Sequence, residues 1–145
     1  MEKAIANLEE LAQEAARFVN TLVQNPHKAT LITLSGELGA GKTAFTKAAA
    51  KAWGVEQTIT SPTFVLEKIY ELPLGAGFKK MIHIDAYRLD GGADLEPLGI
   101  TELMRDTNNV IFFEWPEKVS DALPVPTAHL TFTVENDGTR KITYG

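Results

Sequence analysis

One eight-residue segment constrains the fold of this chain more than any other: residues 36–43 read G-E-L-G-A-G-K-T. Residues 29–34, just before it, are apolar and β-branched, which predicts a buried strand. Residues 44–53, just after it, are rich in Ala and Lys and predict a helix that ends at Gly54. A strand, a glycine-rich turn and a helix in this order are the context of a phosphate-binding P-loop. The sequence therefore predicts an α/β fold built around a nucleoside triphosphate site.

The residue types of this loop suit an anion. Glycines allow backbone conformations in which successive N–H groups point at one phosphate, and the following helix N-terminus adds its dipole. Lys42 supplies a mobile positive charge for the β- and γ-phosphates, and Thr43 offers a hydroxyl to Mg²⁺. We expect the nucleotide to contact the whole loop, namely Gly36, Glu37, Leu38, Gly39, Ala40, Gly41, Lys42 and Thr43.

A nucleotide hydrolase of this class also needs an acidic group at the end of a buried strand, to hold Mg²⁺ directly or through water. Two residues qualify: Asp85 follows the strand-like residues 81–84, and Glu114 follows the apolar residues 110–113. Both would point toward the loop if their strands run parallel to the strand before it. Each is equally well explained as a helix cap or a surface acid, so the spacing alone leaves both interpretations open.

Three further residues have a functional and a structural interpretation. Thr63, in the S-P-T-F segment 61–64, lies where a switch segment could sense the γ-phosphate, but a Pro-containing turn explains the composition as well. Trp115 could place its ring beside the nucleotide, although the large area of a Trp usually favours burial in the core. His83 could act as a base, but a histidine on a strand is more often a structural residue, and we interpret it as one.

The remaining patterns predict few helices and several strands. Asn7 is placed to cap a first helix, with Glu10 at the capping-box position and Pro26 at its end, and any strand before Asn7 would be small. We predict a mixed sheet with a parallel core, added antiparallel hairpins and few flanking helices, in one P-loop NTPase-like domain over residues 1–145. The other predicted elements are a hairpin of residues 65–71 and 80–85, a short helix over 97–105 that contains Gly99, and a hairpin of residues 128–134 and 139–144 around Asn136-Asp137-Gly138.

Composition excludes some classes of protein. The chain has no cysteine, which rules out disulfides and thiolate metal sites. No apolar run approaches the length of a membrane span, and the N-terminus lacks a signal pattern, so a cytoplasmic location is expected. The net charge of −5 argues against a dedicated nucleic-acid binder, although the 14 Lys and Arg residues could form a local basic patch.

Taken together, five segments resemble one family. G-E-L-G-A-G-K-T, S-P-T-F, H-I-D-A-Y-R at 83–88, L-G-I-T-E at 98–102 and E-W-P-E at 114–117 occur in this order in the TsaE family, the small bacterial ATPases of threonylcarbamoyladenosine (t6A) synthesis in tRNA. The resemblance covers nearly the whole chain. It implies ATP and Mg²⁺ as cofactors, slow ATP hydrolysis, and TsaD and TsaB as protein partners, with any contact to tRNA indirect or unknown.

The resemblance also implies roles for individual residues. Thr43 and Glu114 would lie at Mg²⁺, and Asp85 would orient water or act as base at the γ-phosphate. Where the family often carries a hydroxyl residue early in the first helix, this chain has Leu11, so the adenine pocket stays undefined. The other residues placed at the nucleotide by resemblance are Thr63, Trp115, Glu117 and Arg140.

Two other functions would use the same loop. A small-molecule kinase would need a second substrate pocket and a lid rich in Arg, for which the chain has only four Arg residues and no obvious insertion. A non-enzymatic module, in which ATP binding alone docks a partner, would need the same residues as the hydrolase.

Overall fold

One seven-stranded mixed sheet organises the chain. The structure is a computed structural model that describes residues 1–37, 39–56 and 67–145. The strand order is β1-β7-β6-β2-β5-β4-β3; the pairs β2–β5, β2–β6 and β4–β5 are parallel, and the pairs toward both edges are antiparallel. This arrangement confirms the predicted fold class. The strands are β1 (Glu2–Ile5), β2 (Thr30–Gly36), β3 (Glu67–Glu71), β4 (Lys80–Asp85), β5 (Asn109–Glu114), β6 (Ala128–Val134) and β7 (Arg140–Tyr144), and the helices are α1 (Leu8–Thr21), α2 (Lys42–Ala52) and α3 (Ile100–Arg105).

The first helix begins where the capping signal predicts. The Asn7 side chain accepts a hydrogen bond from the backbone N–H of Glu10 at 2.9 Å, while the Glu10 carboxylate reaches back to the N–H of Ala6 at 3.1 Å. The helix ends at Thr21, several residues before Pro26, so the proline does not terminate it. Leu8, at helical spacing with the apolar residues of α1, is nevertheless 74% exposed.

Both predicted hairpins are present, and the third helix differs from its prediction. Strand β3 pairs with β4 and β6 pairs with β7, each antiparallel. The prediction of one helix over 97–105 is wrong because Gly99 takes a left-handed conformation with φ 69°, which separates α3 from the 3₁₀ segment Gly92–Leu98. A second 3₁₀ segment, Pro116–Val119, follows β5. Among the described residues, no helix is both long and apolar enough to span a membrane.

Apolar side chains cover both faces of the sheet. Helices α1 and α2 pack on one face, where aromatic rings such as Phe18, Phe45 and Phe112 form the larger core. The opposite face buries a second cluster that includes Leu95 and Phe113, beneath α3 and the 3₁₀ segments. Strand β5 is buried along its whole length, as its apolar sequence predicts.

The register of the central strands sets the position of the site. Leu34 on β2 and Asp85 on β4 both pair with Glu114 on β5. Because the three strands are parallel, their carboxyl ends meet at one edge of the sheet, which is where ligands bind in open α/β sheets. The loop after β2 leaves from the same edge.

Candidate functional site

The glycine-rich loop connects β2 to α2 through backbone conformations that need glycine. Gly41 caps the N-terminus of α2 with φ 110°, in the left-handed region. At Gly36, with φ 145°, an added Cβ would lie 2.4 Å from the carbonyl oxygen of Phe132 on β6. The two glycines therefore let the chain turn sharply out of the sheet and present the start of α2 at its edge.

Lys42 is folded back onto its own loop. It is only 4% exposed, and its ammonium donates hydrogen bonds to the carbonyl oxygens of Gly36 and, at 3.1 Å, of Glu37. The same ammonium lies 4.0 Å from the ring centroid of Trp115, a cation–π contact. Burial lowers the pKa of Lys42, and the carboxylates of Glu114, Glu117 and Asp85 oppose this shift.

Thr43 and Glu114 meet at the floor of the site. The Thr43 hydroxyl lies 3.0 Å from Oε1 and 2.9 Å from Oε2 of the Glu114 carboxylate. Nε2 of His83 lies 2.5 Å from the same Oε2. Glu114 is 2% exposed and His83 is fully buried, so the loop hydroxyl, the strand carboxylate and the imidazole form one buried polar cluster.

Asp85 lies at the same edge and lines the same cavity as Glu114. Its Oδ1 accepts the backbone N–H of Tyr87 at 3.0 Å. Burial raises the pKa of Asp85 and the Glu114 charge raises it further, while the Tyr87 hydrogen bond, His83 and Lys42 act in the opposite direction. Both acidic strand ends therefore lie at the loop edge, as expected for strands that run parallel to β2.

Trp115 takes an unusual backbone conformation beside the loop. Its φ of 62° and ψ of 51° are left-handed, a strained state for a residue with a side chain. The ring is half-buried against the cavity and lies 5.0 Å from the Tyr87 ring. Trp115 also packs against the core cluster beneath α3, so it is partly a core residue and partly a lining residue of the cavity.

Arg140 holds the loop from the C-terminal hairpin. Its guanidinium donates to the carbonyl oxygen of Gly39 at 2.9 Å, and its side chain lines the cavity. The Glu117 carboxylate accepts a hydrogen bond from Ser35 at 2.9 Å, and Glu117 is absent from the described lining of the cavity although its charge acts on Lys42. Leu38 and Thr63, with the rest of the S-P-T-F segment, lie outside the described residues.

These groups surround an open cavity of about 1020 Å³. Ala40 is buried beneath the loop instead of facing this space. One wall comes from residues 5–11, the end of β1 and the start of α1, which sequence reasoning did not place at the site. The sequence pattern does not single out this wall, because Leu8 falls at helical spacing with the apolar residues of α1. The wall residues are Ile5, Ala6, Asn7, Leu8, Glu9 and Leu11.

The fold and the site define an α/β protein in which a P-loop-type sequence faces two strand-end carboxylates across a cavity. A family model described as "Threonylcarbamoyl adenosine biosynthesis protein TsaE" matches residues 6–142, and the chain belongs to this family. The tRNA threonylcarbamoyladenosine biosynthesis protein TsaE of Treponema pallidum is 36% identical over 132 residues, 91% of this chain and 93% of the relative.

Two further comparisons agree with this assignment. The protein of the same description from Bacillus subtilis is 33% identical over 114 residues, which cover 79% of this chain and 68% of that protein. The crystal structure of Bacillus subtilis YdiB superposes with a TM-score of 0.78 at 26% identity, covering 99% of this chain and 83% of the other.

Proposed function

We propose that this chain binds ATP with Mg²⁺ and hydrolyses it slowly, in the cytoplasm, as part of the modification of tRNA to t6A together with TsaD and TsaB. The observation that carries the proposal is the meeting of the Thr43 hydroxyl with the buried Glu114 carboxylate at the loop edge. Membership of the TsaE family and the names of its relatives support the pathway. Slow turnover and the two partners follow from the resemblance alone.

Phosphate binding would use the start of α2 and the loop backbone. The helix dipole and the free N–H groups of its first turn favour an anion in the cavity. Lys42 would leave the carbonyls of Gly36 and Glu37 and extend toward the β- and γ-phosphates, because a phosphate is a stronger partner than a neutral carbonyl. Arg140 would keep the loop in place from outside through Gly39.

The residues present fit a magnesium ion. Among the described residues, no group of three or more His, Cys, Asp or Glu side chains is arranged to hold a metal ion. Thr43 and Glu114 offer a hydroxyl and a carboxylate side by side, which are the hard oxygen ligands that Mg²⁺ takes alongside water and substrate phosphates. When bound, the ion would neutralise charge on the phosphates as it develops in the transition state.

Asp85 is the proposed group for the attacking water. It shares the cavity edge with Glu114, and its raised pKa makes it a stronger base than an exposed aspartate. It would orient a water in line with the γ-phosphate and accept its proton as the bond to ADP breaks. Glu114, already engaged with Thr43 and His83, would serve as a ligand and not as the base.

The proposal is tested by measuring ATP hydrolysis by the purified chain alone and with TsaD and TsaB. We expect slow Mg²⁺-dependent turnover that the partners stimulate. Asp85→Ala and Glu114→Ala should each abolish it, whereas Glu9→Ala, at an exposed cavity-wall position, should not. Full turnover in both acidic variants would contradict the assignment.

A second candidate, a nucleotide-dependent interaction module, is favoured by one observation. Lys42 contacts the Trp115 ring and would have to leave it when phosphate enters. Such a rearrangement could dock a partner without hydrolysis. A variant that binds ATP but does not hydrolyse it and still supports t6A formation would favour the module over the hydrolase.

A further inference from the structure

Within the part of the chain that the structure describes, His83 makes one side-chain hydrogen bond, and it goes to Glu114. Its side chain is fully buried, and its Nε2 lies 2.5 Å from Oε2 of Glu114. The ring's other nitrogen, Nδ1, is buried without a hydrogen-bond partner among the described residues. On β4, His83 precedes Asp85 by two positions, so both side chains lie on the face of the sheet that carries α2.

We propose that His83 is a positioning residue that holds the Glu114 carboxylate in the orientation required to receive a divalent cation beside Thr43. This inference rests on the proposed function, because the cation belongs to the nucleotide site. It adds a residue that neither composition nor spacing distinguished from an ordinary core histidine.

The donor pattern argues for this role. A carboxylate that ligates a cation only accepts hydrogen bonds, so in the proposed role Nε2 carries the proton between the two groups. A histidine retained for the core alone would be expected to satisfy both ring nitrogens, because buried polar groups are nearly always paired. Among the described residues, the nitrogen that faces Glu114 is paired and Nδ1 is not.

The arrangement of partners explains why Glu114 needs this support. The Thr43 hydroxyl contacts both carboxylate oxygens, but the same hydroxyl is a proposed cation ligand, so that contact changes when a cation enters. Nε2 of His83 projects from the interior of a paired strand, where packing locks the ring. His83 can therefore keep one oxygen fixed and leave the other free to ligate. Hydrogen-bond partners of metal ligands act in this way generally, and their loss weakens metal binding.

The test compares two substitutions at His83 with a matched histidine elsewhere. His83→Leu removes the donor, whereas His83→Gln can place an amide N–H close to the position of Nε2. His129→Leu is the control, because His129 also hydrogen-bonds a side chain, Thr33 at 2.6 Å, but lies on β6 away from the cavity lining. Mn²⁺ is titrated into the full chain saturated with a non-hydrolysable ATP analogue, and bound Mn²⁺ is followed by water-proton relaxation. Analogue affinity in EDTA and thermal unfolding are measured in parallel.

We expect His83→Leu to weaken Mn²⁺ binding by about 10- to 100-fold. His83→Gln should recover most of this loss, and His129→Leu should bind Mn²⁺ as the wild type does. Analogue affinity in EDTA should be unchanged in all three variants, because the proposed role concerns the cation and not the phosphates.

Three results would overturn the proposal. His83→Leu could bind Mn²⁺ as tightly as the wild type, or His83→Gln could lose as much affinity as His83→Leu, which would show a steric role. If His83→Leu does not fold, His83→Asn takes its place, because the asparagine amide is too short to reach Glu114. Unchanged Mn²⁺ affinity in His83→Asn would count against the proposal equally. A wild-type chain that binds neither the analogue nor Mn²⁺ would instead refute the proposed function itself, and this inference with it.

Discussion

The substitution Tyr144→Phe tests whether a hydrogen bond to the buried Glu14 carboxylate stabilises the packing of β7 against α1. The Tyr144 hydroxyl donates to Oε2 of Glu14, which is 3% exposed and also accepts two hydrogen bonds from Arg17 at 2.9 and 2.6 Å. The Tyr144 ring packs against Phe18 with the centroids 5.7 Å apart. Phenylalanine keeps the ring contacts and removes only the hydroxyl.

The expected loss of stability depends on the hydrogen bonds that Glu14 keeps in the Tyr144→Phe variant. A hydrogen bond to a charged group contributes about 1.5–3 kcal/mol. Because Arg17 still holds both oxygens of Glu14, the carboxylate is not left unpaired, and we place Tyr144→Phe at the lower end, about 1.5 kcal/mol of unfolding free energy. For a domain of this size, that corresponds to a fall in Tm of roughly 3–6 °C.

The pH dependence gives a second, independent readout. Burial alone would raise the pKa of Glu14, but the hydrogen bonds from Arg17 and Tyr144 outweigh it and hold the pKa below the ordinary 4.5. The unfolded chain therefore binds the proton more readily, so the stability from Glu14 is fully present above about pH 4.5 and is lost as the pH falls through the folded pKa. The gap between wild type and Tyr144→Phe should narrow over the same range.

Thermal unfolding followed by circular dichroism from pH 7 to pH 3 would measure both effects. Tyr70→Phe is the matched control: Tyr70 is 3% exposed, and its hydroxyl is buried without a partner among the described residues, so its removal should cost nothing or stabilise slightly. If Tyr144→Phe lowered Tm no more than Tyr70→Phe, or if its effect were the same at pH 3 and pH 7, the reasoning about Glu14 would be refuted.

Three other outcomes are expected. Gly36→Ala should lower the free energy of unfolding by roughly 3 kcal/mol or more, because the positive φ is strained for alanine and the new Cβ meets a carbonyl oxygen of β6. Gly138→Ala, which has open space around it, should lower it by about 1–2 kcal/mol. Urea unfolding of both variants would measure the difference. Asp85→Asn should raise Tm at pH 7, because burial raises the pKa of Asp85 and the folded protein therefore disfavours the ionised form. This gain in Tm should vanish as the pH falls below 3.8, where the aspartate is protonated in the unfolded chain as well. A gain that persists below that pH would contradict this cause. A non-hydrolysable ATP analogue should change the fluorescence of Trp115 as Lys42 leaves its ring, in a variant whose other tryptophan is replaced by phenylalanine; an unchanged spectrum at saturation would show that Lys42 stays in place.

Local signals predicted most of the elements around the site. The cap at Asn7 and the turn at Asn136-Asp137-Gly138 depend on a few neighbouring residues, and both are present in the structure. The third helix was predicted incorrectly because Gly99 can end one helical segment and begin the next, and sequence periodicity does not show which conformation a glycine takes. The end of α1 at Thr21 was missed since Pro26 marks only the latest point at which that helix could stop.

Contacts between distant residues were harder to predict. Leu8 and the other residues of the cavity wall come from the start of the chain, and nothing in their spacing links them to a loop thirty residues away. The left-handed backbone of Trp115 depends on the turn out of β5, where its N–H bonds to the carbonyl of Leu34. The pairing of His83 with Glu114 needs β4 and β5 to be neighbours in a particular register.

The sequence by itself determined the loop, its flanking strand and helix, and a short set of acids that could complete the site, because these depend on residue types and on periods of a few residues. Only the tertiary structure decided that Glu114 meets the Thr43 hydroxyl, that Asp85 stands beside it with a raised pKa, and that His83 supports it from within the sheet. The reason is physical: strand order and register are set by hydrogen bonding and packing between segments far apart in the chain, and a shift of one residue would turn each of these side chains to the other face.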